Sequence, residues 1–258
     1  MRIILALIAA FMLTLSPCED SVISVDGHTL MLSFEDDFNG SELDPTRWER
    51  CPEYHRQDLN NYWDDSMSYL DSEGNLILEM SYDAEGDRYL SGAVRTRGIF
   101  EQAYGYFEIR CKVNTVENYW TAFWLMGDSV NSEENGGVDG TEIDIMETPH
   151  PENKVVNHTL NWDGYADAHK ALGKQVVYDV YDGEYHTFSL LWTQSEYVFY
   201  IDATETWRTN AAEAEGICEV PLYAKISCEM GSWAGKPDPN ALPAYMTVDY
   251  VRIYALCE

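Results

Sequence analysis

Residues 142–147 read Glu142-Ile143-Asp144-Ile145-Met146-Glu147, three carboxylates interleaved with three apolar side chains. In a strand, successive side chains point to opposite faces, so Glu142 and Asp144 share one face while Ile143 and Ile145 point into a core. Glu147 then falls on the wrong side. One extra residue bulged at Ile145 or Met146 corrects the phase and returns Glu147 to the face of the other two acids. The stretch therefore predicts a packed sheet with a row of carboxylates on its surface. Like charges that close raise one another's pKa, and a protonated carboxyl beside an ionised one is what cleavage of a glycosidic bond requires.

The chain is acidic enough to produce short carboxylate spacings by chance. Asp and Glu account for 45 of 258 residues, and E-x-D recurs at Glu35/Asp37, Glu42/Asp44 and Glu85/Asp87. Only the stretch from Glu142 adds a third acid at the sixth residue. A solvated strand face or a calcium loop is the bland alternative. Calcium loops, however, are rich in Gly, Asn and Asp, whereas Ile143, Ile145 and Met146 argue for a core beneath the acids.

With 45% hydrophobic and 13% aromatic residues, a chain of this length can bury a core and suits one all-β domain. Residues 1–18 hold Arg2, an apolar run from Ile3 to Leu15 and Ser16-Pro17. This reads as a secretory signal peptide, too short to span a bilayer, and leaves 19–258 as the expected domain. Pro17 disfavours a lipid anchor through Cys18. The formal net charge of −29 repels phosphate backbones and anionic membranes, which excludes nucleic acid and leaves a neutral sugar polymer as the easier partner. The six cysteines are too scattered for a small disulfide scaffold. A secreted monomer is expected.

Beyond the leader, helical periodicity is short-lived, while β-rich runs recur at about 30–38, 67–71, 75–82, 89–97, 103–115, 119–127, 153–162, 174–180, 185–193, 196–202, 220–229 and 244–255. Turn signals such as Glu73-Gly74-Asn75 and Tyr181-Asp182-Gly183 separate them. The pattern predicts a β-sandwich or jelly roll. Aromatic residues add a second functional signal. Trp120 and Trp124, at i and i+4, share a strand face, and Trp162 and Trp233 sit in the polar, glycine-bearing settings NWDGY and GSWAGK. Sugar rings offer apolar C–H faces, so tryptophans beside carboxylates and amides predict a sugar-binding groove. Trp48 and Trp192 read as core residues.

These features resemble glycoside hydrolase family 16, in its bulged-site, laminarinase-like branch. EIDIME is similar to the family's signature. FEDDFNGSELDPTRW at 34–48 is similar to its opening strand, SGAVRTRGIFEQAYGYFEIRCKV at 91–113 to its approach to the site, and YWTAFWLM at 119–126 to its tryptophan strand. EYHTFSLLW at 184–192 and VDYVRIY at 248–254 resemble its later strands. The resemblance implies a curved jelly roll with a concave substrate cleft, Glu142 as nucleophile, Glu147 as acid/base and Asp144 as the residue that tunes them. On this reading the charge of Asp144 keeps Glu147 protonated near neutral pH. Arg95, Trp120, Trp124, Asn161, Trp162 and Trp233 are the expected sugar contacts.

Asn161 stands where many such members carry His, and His158 is a displaced candidate for that role. The segment Gln57 to Trp63 resembles the family's cleft edge only loosely. By resemblance, a structural calcium would be held by Asp249 with backbone groups near Asp37 and Gly74, and catalysis requires no cofactor. The expected activity is that of a secreted, retaining endo-β-glycosidase on β-1,3- or mixed-linked β-1,3/1,4-glucan. Galactan or xyloglucan cleavage and transglycosylation share the same residues. A non-catalytic carbohydrate-binding jelly roll is the alternative from another class, and the intact Glu142 and Glu147 speak against it. Sequons stand at Asn39 and Asn157.

Overall fold

The computed structural model describes residues 21–51 and 54–257, so the leader read at 1–18, with Cys18, lies outside the described residues. Among the latter, nineteen strands form: β1 (Val22–Val25), β2 (His28–Asp36), β3 (Glu49–Arg50), β4 (His55–Arg56), β5 (Asn61–Trp63), β6 (Ser68–Leu70), β7 (Leu76–Asp83), β8 (Arg88–Ser91), β9 (Ala93–Arg95), β10 (Gly105–Lys112), β11 (Trp120–Met126), β12 (Thr141–His150), β13 (Val155–Trp162), β14 (Lys170–Val177), β15 (His186–Trp192), β16 (Glu196–Ile201), β17 (Thr204–Asn210), β18 (Tyr223–Glu229) and β19 (Ala244–Leu256). The expected runs become strands within a few residues, except that β14 lies earlier than 174–180, while β1, β3, β4, β5 and β17 fall in no expected run.

Two sheets form a jelly-roll sandwich. The larger runs β17-β16-β15-β10-β19-β7-β8-β5-β4, with β2 also on β19, β1 on β2 and β6 on β7; the smaller runs β14-β13-β12-β11-β18-β9-β3. Between them lies one main core, to which β10 gives Phe107, Ile109 and Cys111, β12 gives Ile143, Ile145 and Met146, and β18 gives Ala224, Ile226 and Cys228. Trp48 and Trp192 belong to this core as expected. Each fully buried side chain of this size contributes roughly 1.5–3 kcal/mol, so the inward face of each strand sets its register and leaves the outward face free for polar groups.

The smaller sheet's outward face carries the acids. Along one cross-strand row the partners are Thr159, Asp144, Trp124, Lys225 and Arg95; along another, Asn157, Glu147, Ala122 and Ser227. The cysteines Cys51, Cys111, Cys218 and Cys228 are buried and unpaired, and Cys257 is exposed and unpaired.

Candidate active site

The bulge expected at Ile145 or Met146 is present. Against β11 the register steps from Phe123↔Met146 to Trp124↔Asp144, which leaves Ile145 without a partner. Against β13 the three-residue step from Asp144 to Glu147 faces only two residues, Thr159 to Asn157. Ile145 and Met146 consequently both point into the core and are fully buried. Glu142, Asp144 and Glu147 all line one cavity of about 430 Å³ on the opposite face.

A bulge frees backbone groups that the ladder would have satisfied. Here His158 on β13 points inward beneath the acids, with Nδ1 2.7 Å from the Ile145 carbonyl oxygen and Nε2 2.9 Å from Thr206 Oγ1. Burial lowers its pKa to about 4. The ring is therefore neutral and donates from Nδ1 to the carbonyl, with Nε2 beside a threonine hydroxyl that also donates to the Phe199 carbonyl oxygen at 3.1 Å. His158 thus braces the bulge from the core and does not face the cleft.

On the outer face, Asn161 Nδ2 donates to Glu142 Oε1 at 3.1 Å and to Asp144 Oδ2 at 3.0 Å. His169 Nε2 lies 3.1 Å from the Asn161 carbonyl oxygen and fixes the amide's orientation. Tyr165 donates its hydroxyl to Glu142 Oε2 at 2.5 Å. Glu142 therefore holds two donors that favour its anion, while Glu147 has no hydrogen-bond partner among the described residues.

Burial raises the pKa of all three acids. For Glu142 the two donors and the charge of Lys225 oppose the rise. Asp144 is pushed well above the usual carboxylate range by burial, then by Glu147 and Glu142. Glu147 is raised to about 8 by burial first, then by Glu142 and Glu229. The expectation that Asp144 charge keeps Glu147 protonated is thereby corrected. Burial does most of that work, and Asp144, deepest of the three, is itself the least able to carry a charge.

The cavity is walled by Trp120 and Trp124 from β11 and by Trp63 from β5. Arg56 crosses from the far end of the larger sheet and bonds Glu229 Oε2 through Nε at 3.0 Å and Nη2 at 2.5 Å. Its guanidinium lies 5.1 Å from the ring centre of Trp120. Gly231 permits that approach, since a Cβ there would stand 2.8 Å from Arg56 Cδ and 3.1 Å from the Trp120 ring.

Several expected contacts are placed elsewhere. Trp162 is buried in the core, because its neighbour Asn161 takes the outward face and alternation sends the indole inward. Arg95 lies three strands from the acids and donates to Glu49 Oε2 at 2.6 Å, and it does not line the cavity. Trp233 stands at the rim, 46% exposed, edge-on to Trp120 at 5.4 Å. Asn157 is buried opposite Glu147, which closes its sequon in the folded chain. Both acids expected near the calcium are paired with arginines. Asp37 pairs with Arg252 at 3.2 Å and Asp249 with Arg110, while Gly74 turns against the Asn39 side chain. Among the described residues no cluster of three His, Cys, Asp or Glu side chains could hold a metal, and a guanidinium group pairs with the one carboxylate expected as a ligand, Asp249.

The sequence reading passed over Tyr54, Arg56, Lys225 and Glu229 and quoted Trp63 and Tyr165 without assigning them to the site. A signal existed for two of them. In YAKISCE, Lys225, Ser227 and Glu229 alternate with Ala224, Ile226 and Cys228, which marks a polar outer face on an otherwise buried strand.

The sequence profile of Glycosyl hydrolases family 16 matches residues 55–252. The chain belongs to that family. Glucan endo-1,3-beta-glucosidase A1 of Niallia circulans is 25% identical over 86% of this chain and 37% of its own length. A beta-glucanase of Rhodothermus marinus is 28% identical over 88% of this chain and 86% of its own. The chain thus spans little more than a third of the first relative and most of the second. Among solved family folds, the endo-beta-1,3-glucanase of Pyrococcus furiosus superposes with a TM-score of 0.75 at 26% identity, covering 92% of this chain and 99% of that one.

Proposed function

We propose that the chain is a secreted, retaining endo-β-glycosidase that hydrolyses β-1,3- or mixed-linked β-1,3/1,4-glucan. The observation that carries this reading is the unequal treatment of two glutamates on one face. Glu142 receives two hydrogen bonds that favour its anion, whereas Glu147 stays protonated up to about pH 8.

Glu142 attacks the anomeric carbon and forms a glycosyl ester as the glycosidic C–O bond breaks. Glu147 gives its proton to the departing oxygen. Glu147, now ionised, takes a proton from water, and the resulting hydroxide attacks the anomeric carbon and releases Glu142. Asp144, whose ionisation burial and the neighbouring glutamates oppose, shares the Asn161 amide with Glu142. Trp63, Trp120 and Trp124 offer faces for the apolar sides of pyranose rings. The leader read at residues 1–18 makes an extracellular polymer the substrate, and the relatives named above favour a β-glucan.

Purified protein incubated with laminarin and lichenan should release oligosaccharides whose first anomer, followed by proton NMR, is β. Early α-anomer would refute retention. Products only from galactan or xyloglucan would move the substrate, and tight glycan binding without products would favour a carbohydrate-binding module.

A further inference from the structure

The cavity floor holds one cation to which the chemistry above gives no role. Lys225, in the middle of β18, is 6% exposed, and its Nζ lies 4.0 Å from the ring centre of Trp124 and 4.2 Å from that of Trp63. Of the two cations lining the cavity, Arg56 is committed to Glu229. Lys225 makes no ion pair and no hydrogen bond among the described residues.

This arrangement is unusual for a flexible ammonium among four carboxyl groups. Left free, a lysine stem would swing onto the nearest carboxylate and neutralise it. The two indole faces hold it by cation–π attraction at a fixed place, short of contact with any acid. A charge held nearby but not bonded favours the ionised form of a neighbour without capping its oxygens. Resting on the assignment of Glu142 as nucleophile, we propose that Lys225 is the positioning cation of the site: it keeps Glu142 an anion while the Trp63–Trp124 clamp keeps its ammonium from closing on the attacking oxygen.

The surrounding charges are compatible with that role. Glu142, Asp144 and Glu147 face it from β12 and Glu229 from its own strand. Glu147 stays protonated up to about pH 8, burial and the neighbouring glutamates oppose the ionisation of Asp144, and Glu229 is paired with Arg56. On the other side, the charge of Arg95 is met by Glu49, and burial pushes the Cys51 thiol up to about 11 and so keeps it neutral. Glu142 is the acid near Lys225 that holds two hydrogen bonds favouring its anion and, among the described residues, no ion pair.

The decisive measurement needs no substrate. Infrared difference spectra of the full chain with isotope-labelled glutamate, minus the spectrum of Glu142→Gln, follow the Glu142 carboxylate through pH. In Lys225→Met its midpoint should rise by about one unit, equivalent to a tenfold change in ionisation, and Lys225→Arg should restore it. In parallel, the acidic limb of kcat/KM on laminarin should move up with little change in KM. A midpoint that stays put in Lys225→Met, or a tenfold rise in KM with the pH profile unmoved, would overturn the proposal and make Lys225 a plain sugar contact. Should Lys225→Met fail to fold, Lys225→Gln carries the same expectation. Wild-type inactivity on every glycan would sink the hydrolase reading, while the Glu142 midpoint would still decide the role of Lys225.

Discussion

Glu147 illustrates how a single side chain is made unstable so that it can work. Its folded pKa is about 8 against an ordinary 4.5, so the fold resists its ionisation. A group raised in this way contributes fully below its unfolded pKa, and its contribution is lost as pH climbs from about 4.5 to 8. Glu147→Gln should therefore melt at a higher temperature than wild type at pH 8 and above, with the difference vanishing near pH 4, while turnover of natural glucan nearly disappears. In wild type the alkaline limb of kcat/KM should fall through about pH 8, as the acid loses its proton. Thermal melts across this range, with a parallel rate profile, test both halves. An unchanged Tm difference at every pH would remove the buried-acid argument. The same scale explains one misreading. Asn161 and Trp162 are consecutive on a regular strand, so only one of them can face the cleft. The polar neighbourhood of NWDGY suggested both, and alternation allowed only Asn161.

At the scale of elements, the bulge in β12 is the device that turns a strand into a catalytic face. It was legible because three acids in six residues fit one face only if a residue is added. What holds it was not legible, since His158 acts from β13 and Thr206 from β17, a strand whose polar sequence Thr204–Asn210 carries a single apolar residue, Trp207. His158→Leu keeps apolar bulk but leaves the Ile145 carbonyl buried without its donor, a loss of roughly 1–3 kcal/mol. Urea unfolding should show that loss. The kcat should also fall at least about tenfold under conditions where the variant is fully folded, because a displacement of catalytic groups by about 1 Å carries a large rate penalty. Full activity in the folded variant would mean that the bulge holds itself. Strands such as β10, with Phe107, Ile109 and Cys111 alternating inward, needed no such partner to be recognised.

Across the whole molecule, the cleft joins segments far apart in sequence. Arg56 and Glu229 are separated by 173 positions, and the larger sheet's last strands fold over the smaller sheet's face to bring Tyr54, Arg56 and Trp63 to the acids. Local pattern predicts most of the longer strands but carries no information about which strand ends meet, so the wall that holds Tyr54, Arg56 and Trp63 emerged only from topology. The same long-range packing holds the chain without covalent help. Four thiols are sealed inside the core and a fifth stands alone on the surface, so the described fold contains no staple for a reductant to cut. Removing a native disulfide typically costs about 2–5 kcal/mol. Here dithiothreitol should leave Tm and activity unchanged, and a marked fall in Tm would expose a linkage formed in solution. The fold would then owe nothing to oxidation, and the chain should mature in a reducing cytosol as readily as in an oxidising exterior.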